Sequence, residues 1–314
     1  MHKKYLLMNE DWMIIVNPNA GSRKAARDWK KIKHIIEKSG IAYQVIFTKA
    51  VNDAIEITQT AIDNGFRNFI AVGGDGTLNE VINGIFSQPE IETSAFKIGM
   101  IPVGTGNDWC RMFNIPFDYQ KAIDIIISNT TFIQDIGKVS FQKGNDTKER
   151  YFINVTGLGY DALVAKKTNA QKAKGKGGKF SYFLNIFTSL FYYKDEKIRI
   201  IADEKIIKTD LFSMNVGICK YNGGGMMQLP NAIADDGLMD ITVIKKVGKF
   251  DLIKNIKKLY DGSITKHPKV IAFQATEVKI DSDNKIYIEA DGESLGHGPF
   301  VFSILPKALK VIVG

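Results

Sequence analysis

Cysteine is nearly absent: the 314 residues hold 2, Cys110 and Cys219, with no ligand spacing around either. That excludes a disulfide scaffold and a cysteine-based zinc site, and it fits a reducing compartment. The 4 histidines, at positions 2, 34, 267 and 297, form no metal-ligand spacing either. No run approaches the roughly 18 apolar residues that a membrane span needs. The nearest, Tyr182 to Tyr193, is short and interrupted by Asn185, Thr188 and Ser189. The N-terminal MHKKYLLMNEDW has too short an apolar run for a signal peptide. These absences give the expectation of a soluble cytoplasmic protein. Also missing are an internal repeat, a Walker A loop, a GxGxxG turn and any recognised nucleic-acid motif.

What is present is ample core material. Apolar residues make up 45% of the chain and charged ones 24%, which excludes disorder, and the length suggests about two domains. The 42 basic against 34 acidic residues leave +8, favouring an anionic partner without choosing among phosphate, lipid headgroups and nucleic acid. Residues 138–200 alone hold 13 basic and 5 acidic residues. At their centre lies the Gly/Lys-rich Lys166 to Lys179, followed by the aromatic Phe180 to Tyr193. The pair reads either as a solvated basic loop before a core helix or as a membrane-surface element.

The first 135 residues alternate short apolar runs with helical spacings. Strands are expected at Trp12–Val16, Tyr43–Thr48, Asn68–Val72 and Lys97–Val103, and helices at 23–39, 52–64 and 78–86. This is the order of a parallel sheet covered by helices. From about Asp135 strands crowd together, among them Phe152–Val155, Leu211–Cys219, Met239–Ile244, Val270–Ile280 and Lys285–Glu289. A sandwich-like β domain is expected there.

Three loops follow strands of the first half: Asn17 to Ser22, Gly73-Gly74-Asp75-Gly76-Thr77, and Gly104-Thr105-Gly106-Asn107-Asp108. In a parallel sheet all three emerge at the carboxyl edge, where ligands of open α/β folds bind. Glycines let backbone N–H groups approach phosphate, and the following helix adds the positive end of its dipole. Asp75 would repel phosphate unless a cation lies between them, which points to Mg²⁺. Asp135, after the run Phe132-Ile133-Gln134, could join Asp75 and Asp108 at that edge.

With these pieces in place the sequence resembles the diacylglycerol kinase catalytic-domain family, in its soluble bacterial lipid-kinase branch. Through GGDGT it resembles the wider superfamily of sphingosine kinases, NAD kinases and phosphofructokinases. The resembling segments are NPNAGS (17–22), GGDGTLNEVINGI (73–85), IPVGTGNDWCR (101–111), QDIGKV (134–139), GLGYDA (157–162), YNGGGMMQLPNAIADDGLMD (221–240) and EADGE (289–293). They span nearly the whole chain.

The resemblance implies transfer of phosphate from ATP to a lipid hydroxyl at the membrane surface. It assigns nucleotide contacts to Asn17, Pro18, Asn19, Ala20 and Gly21, to Thr48 and Thr105, and to Gly73, Gly74, Asp75, Gly76, Thr77, Leu78, Asn79 and Glu80. Asp75, Asp108 and Asp135 match the acidic set that organises catalytic Mg²⁺, directly or through water. Ile233, Asp236 and Leu238 match a second, structural Mg²⁺ site, and Glu293 matches the general base. Arg111, Arg23 and Lys24 are further candidate cations for the phosphates. The implied architecture is an α/β nucleotide domain like that of NAD kinase and phosphofructokinase, residues 1–135 with 302–314. A mainly β, sandwich-like lipid domain at 136–301 would offer an apolar slot for acyl chains. A homodimer at the inner membrane face and no nucleic-acid partner are the accompanying expectations. The rivals are a kinase for a soluble substrate of the NAD type and a non-catalytic lipid sensor. The identity of the lipid and the choice of ATP over GTP are not legible.

Overall fold

The computed structural model describes residues 9–104, 106–173 and 179–314. Thr105, and positions 174–178 of the basic segment, lie outside the described residues. The chain divides into two compact units, Met1–Gln134 with Lys307–Gly314, and Asp135–Pro306.

The first unit runs β1 (Asn9–Val16), α1 (Ala20–Ser39), β2 (Tyr43–Phe47), α2 (Asp53–Asp63), β3 (Phe66–Gly73), α3 (Asp75–Phe86), β4 (Lys97–Pro102), α4 (Asp108–Met112) and α5 (Tyr119–Ser128). Its strands pair in parallel in the order β2-β1-β3-β4, and Lys310 and Val311 add a last parallel segment beside Lys97 and Ile98. Register is set by alternation. Ile14, Val16, Ile70 and Val72 point to one face, where they are buried with Ala25, Ile32 and Ile36 of α1 and Ile123 and Ile126 of α5. Ile15, Phe69 and Ala71 of the opposite face are fully buried as well. Because both faces are covered, the strands read as continuous apolar runs.

The registers Val16↔Phe47, Val16↔Val72 and Val72↔Ile101 align the carboxyl ends of all four strands. The connection out of β1 leads to one side and the return through β2 leads to the other. The switch point of the sheet therefore lies between β1 and β3, where open α/β sheets form their ligand crevice.

The second unit contains β5 (Thr131–Lys143, from Asp135 onward), β6 (Asp146–Phe152), β7 (Val155–Gly159), α6 (Tyr160–Ala173), α7 (Lys179–Tyr192), β8 (Glu196–Ala202), β9 (Lys205–Gly217), β10 (Met239–Lys245), α8 (Lys249–Asp261), β11 (Val270–Ala275), β12 (Glu277–Ser282), β13 (Tyr287–Ala290) and most of β14 (Glu293–Ile312). The strands close on themselves: β9 pairs with β8, β8 with β12, β12 with β14, β14 with β13, β13 with β7, and β7 with β9. The long strands make this possible. β9 pairs with β8 through Lys205–Leu211 and with β7 through Ser213–Gly217, so it passes from one layer to the other. The expected sandwich-like β domain is present.

Three sequence expectations need correction. The run Val270–Ile280 is two strands, broken at Thr276, because Asp203 accepts from the N–H groups of both Thr276 and Glu277. The basic stretch from Lys166 begins in helix α6, not in a loop. The return to the first unit starts at Lys307 instead of Phe302, since Phe302 pairs with Val278 and packs its ring against Phe152.

Candidate functional site

The strand-end loops of the first unit meet one another. Asn17 donates its side-chain amide to Thr77 Oγ1 at 3.1 Å, joining the first loop to the GGDGT turn. Val103 and Gly104 both donate backbone N–H to Gly73 O, at 2.7 and 3.0 Å, which brings the third loop against the second. Two glycines are required by these approaches. A Cβ on Gly21, whose φ is +60°, would lie 2.4 Å from Val103 O, and one on Gly73 would lie 2.3 Å from Thr77 Oγ1. Thr48 is buried at the end of β2 and donates its N–H to Val16 O at 2.9 Å.

Asp75 opens α3 and its carboxylate caps α4: Oδ2 accepts from Asp108 N–H at 3.0 Å and Oδ1 from Trp109 N–H at 3.2 Å. Asp108 is buried and lies 3.9 Å from Arg111, itself exposed. Arg23 and Lys24 are also exposed, with Lys24 3.8 Å from Asp28. Next to this cap Asn107 is buried, its amide group donating to Gly104 O while its Oδ1 has no hydrogen-bond partner among the described residues. That Oδ1 lies 3.3 Å from the place a Gly74 Cβ would occupy, and a buried acceptor without a donor beside a glycine cradle suits a ligand that brings donors.

The side chains of Leu78, Asn79 and Glu80 are engaged in the fold. Leu78 is fully buried, Asn79 accepts from Asn83, and Glu80 accepts from N–H groups at the start of α2, those of the cap residue Asn52 and of Ala54. Among the described residues no three carboxylate, His or Cys side chains converge into a metal cage. Such a cage is not what Mg²⁺ needs at a phosphate site, where one or two carboxylates, waters and the phosphates themselves complete the octahedron. Asp75 and Asp108 fit that requirement.

Asp135 belongs to the second unit and has a different setting. It lies fully buried in β5, its N–H donates to Ala234 O at 2.8 Å, and its Oδ2 accepts from Gly237 N–H at 2.7 Å. It thereby fastens the turn Ile233 to Leu238, the expected second Mg²⁺ site. Within that turn Asp236 Oδ1 accepts from Leu238 N–H at 3.0 Å, and Ile233 is exposed. Burial pushes the nearby Asp240 carboxyl up to about 6, with Asp236 adding repulsion against the help of Gln274 and Lys220. Asp235 and Asp236 of the turn and Asp240 just beyond it supply oxygen donors of the kind a hard cation takes.

Glu293 follows a tight turn that three side chains hold. Asp291 accepts from the N–H groups of Ile153, Asn154 and Val155 at 3.0 to 3.1 Å. Glu289 accepts from Gly292 N–H at 2.7 Å, and Asn169 of α6 donates to Gly292 O at 3.0 Å. Asp291 and Gly292 both have left-handed φ, +48° and +86°, as a two-residue hairpin requires. Desolvation holds the Glu289 carboxyl well above the usual range, the Gly292 N–H bond opposing and the charges of Asp161, Asp291 and Glu293 adding.

Glu289 therefore keeps its proton in the fold at pH values where the unfolded chain has released it, so its contribution to stability falls as pH rises above the ordinary glutamate range. Glu289→Gln reproduces the neutral side chain. Its melting temperature is expected to exceed that of the wild type by a few degrees at pH 8 and to match it at pH 4. A constant difference across that range would refute the assignment.

The second unit also holds an apolar pocket that is partly open to solvent. Its walls are Val164 of α6, Phe187 and Leu190 of α7, and Leu252, Ile256 and Leu259 of α8, and its polar groups are Asp161, Ser213 and Gln228. Asp161 Oδ2 accepts from Asn215 at 3.0 Å, Asn215 also donates to Gln228 Oε1, and Asn222 donates to Asn215 Oδ1 at 2.8 Å. Desolvation raises the Asp161 carboxyl, while the hydrogen bonds from Ser213, Asn215 and Gln228 oppose it.

Sequence reasoning passed over Asp161, Glu289, Asp291, Asn169 and Asn107 as site residues. It also passed over α8, whose inward positions 252, 256 and 259 carry a readable i, i+4, i+7 spacing.

Known proteins share both the sequence and the fold. Residues 11–139 match the diacylglycerol kinase catalytic domain, and residues 154–313 match the YegS C-terminal NAD kinase beta sandwich-like domain. A diacylglycerol kinase of Staphylococcus epidermidis is 33% identical over 298 residues, which is 95% of this chain and 90% of that protein. One of Staphylococcus aureus strain MRSA252 is 32% identical with the same coverage. A solved structure described as a diacylglycerol kinase of Bacillus anthracis strain Sterne has the same fold, at a TM-score of 0.73 and 23% identity over 97% of both chains. Yeast NADH kinase complexed with NADH shares it more distantly, at 0.53 and 13% identity, over 97% of this chain and 83% of that one. Matches of this length and identity make the chain a member of the diacylglycerol kinase catalytic-domain family.

Proposed function

We propose that the protein is a lipid kinase, transferring the γ-phosphate of ATP to the hydroxyl of a diacylglycerol or related lipid at a membrane surface. The observation that carries the lipid part is the apolar pocket of the second unit. Its walls suit acyl chains, and its few polar groups, Asp161, Ser213 and Gln228, suit a hydroxyl-bearing headgroup. The three converging loops of the first unit support the nucleotide part.

In this reading the backbone of Gly73 to Thr77 and of Asn17 to Gly21 binds the phosphates, and Asn107 Oδ1 accepts from a donor on the nucleotide. Asp75 and Asp108 hold Mg²⁺, which when bound neutralises charge on the transferring phosphoryl group. Glu293 takes the proton of the lipid hydroxyl, which is a poor nucleophile until that proton leaves. Its turn is fixed in advance by Asp291, Glu289 and Asn169, so no reorganisation is needed when the proton moves. Ile233, Asp236 and Leu238 would hold the second Mg²⁺, with Asp135 keeping their turn in place.

The test is transfer of labelled γ-phosphate from ATP–Mg²⁺ into a panel of hydroxyl lipids in mixed micelles, with NAD as a soluble acceptor. Label in a lipid of the panel is expected, and competition by GTP in the same assay reads the base preference. Label in NAD alone would replace this reading by the soluble-substrate one. ATP binding with no label in any acceptor would leave a lipid sensor.

A further inference from the structure

The same helices that wall the apolar pocket carry large apolar side chains on the outside. Phe250 of α8 is 89% exposed, and Phe191 and Tyr192 of α7 are 64% and 79% exposed. They form one patch. Lys249 donates to Phe191 O at 3.2 Å and lies over the Phe191 ring at 5.4 Å, which ties the start of α8 to the end of α7. Lys167 of α6 lies over Tyr192 at the same distance. Ile253 is both a wall residue of the pocket and 42% exposed, so the apolar lining reaches the surface beside Phe250.

The charge around this patch is predominantly positive. Helix α8 carries Lys249, Lys254, Lys257 and Lys258 against Asp251 and Asp261, and Asp251 lies 3.3 Å from His267. Among the described residues, no acidic group of α8 but Asp251 stands in its first turn. Its sequence is that of an interfacial helix, with apolar residues on the pocket side, lysines outward and an aromatic at the rim.

We propose that α8, with the end of α7, is a docking surface for an anionic bilayer, and that the substrate's acyl chains pass from the bilayer into the pocket between these two helices. The occupant is a membrane because the exposed residues are the kinds that enter an interface. Lysines meet anionic headgroups there while aromatic rings lie at the level of the acyl boundary. Continuity of the patch with the pocket also matches a substrate whose chains are already in the hydrocarbon. The inference rests on the lipid-kinase reading for the identity of what enters, but not for the docking itself.

The experiment separates the two. Sedimentation with phosphatidylcholine vesicles, with and without phosphatidylglycerol, is read for the wild type and for Phe250→Glu and Lys254→Glu/Lys257→Glu. These exposed residues line neither the pocket nor the phosphate loops. Wild-type binding is expected to require phosphatidylglycerol and to weaken with salt, and each variant is expected to bind about tenfold or more weakly. On a short-chain diacylglycerol dispersed as monomers, kcat/KM of the variants is expected to match the wild type. Unchanged vesicle binding in the variants would overturn the proposal. So would a wild-type dimer that Phe250→Glu dissociates while vesicle binding persists, which would assign the face to a second copy. If the wild type phosphorylates no lipid yet loses vesicle binding through these substitutions, the docking surface stands and the kinase reading falls.

Discussion

Glu293→Gln is expected to lower kcat by about 10²- to 10⁴-fold, the range in which a positioned acid–base group contributes. The Kd for ATP should stay unchanged. The substitution keeps the size and the hydrogen-bonding shape of the side chain and removes only its ability to take a proton. The turn that presents it is held by groups that the substitution leaves alone: three backbone N–H bonds to Asp291, one to Glu289, and the bond from Asn169 to Gly292 O. A fall in turnover therefore cannot be assigned to a displaced turn. Single-turnover phosphoryl transfer with nucleotide binding followed in parallel decides the matter. Turnover within a few fold of wild type would remove Glu293 as the base.

The second large effect is expected at Asp75. Its carboxylate caps the N–H groups of Asp108 and Trp109, and in the proposed function it also holds a cation against phosphate. The two losses differ enough in size to be told apart. Removing a helix cap costs about 0.5–2 kcal/mol. Against a typical stability of about 5–15 kcal/mol, that leaves nearly every molecule folded. Loss of the cation site is expected to lower kcat by about 10³-fold, or roughly 4 kcal/mol of transition-state stabilisation. Asp75→Ala should therefore melt a few degrees below wild type and be almost inactive at temperatures where it is fully folded. An activity that recovered in step with folding would reduce Asp75 to its capping role.

Much of the first unit was legible in the sequence because its signals are local. A strand, a glycine loop and a helix adjoin in the chain, and parallel register then brings the ends of β1, β3 and β4 to one edge without further information. Asp135 shows where local reading stops. Its place after an apolar run is all that the sequence shows of it. The structure sets it in mid-strand with its carboxylate on Gly237 N–H, 102 positions away. Nothing in residues 130–140 announces that partner.

Helices α6 and α8 were hidden for a different reason. The lysines of α6 read as charge, although lysine, alanine and glutamine are good helix formers, and in α8 the apolar positions 252, 256 and 259 are correctly spaced for one pocket-facing stripe. Asp291 and Glu289 were visible as parts of the EADGE motif. Their work of fixing the Glu293 turn depends on β7 lying alongside, which the antiparallel pairing of β13 with β7 supplies.

The pairing of β14 has a consequence for how the chain is made. Lys310 and Val311 complete the parallel sheet begun by β1 to β4, and Thr93 beside β4 donates to Ala308 O across 215 positions. Earlier residues of the same strand close the ring of the second unit. During synthesis neither unit can finish its sheet until this one strand has left the ribosome, so β4 waits as a bare apolar edge through most of translation. Contacts of such sequence separation form slowly, and an uncovered parallel edge is an invitation to mispairing. Chaperone demand should thus peak late in translation and end when β14 docks.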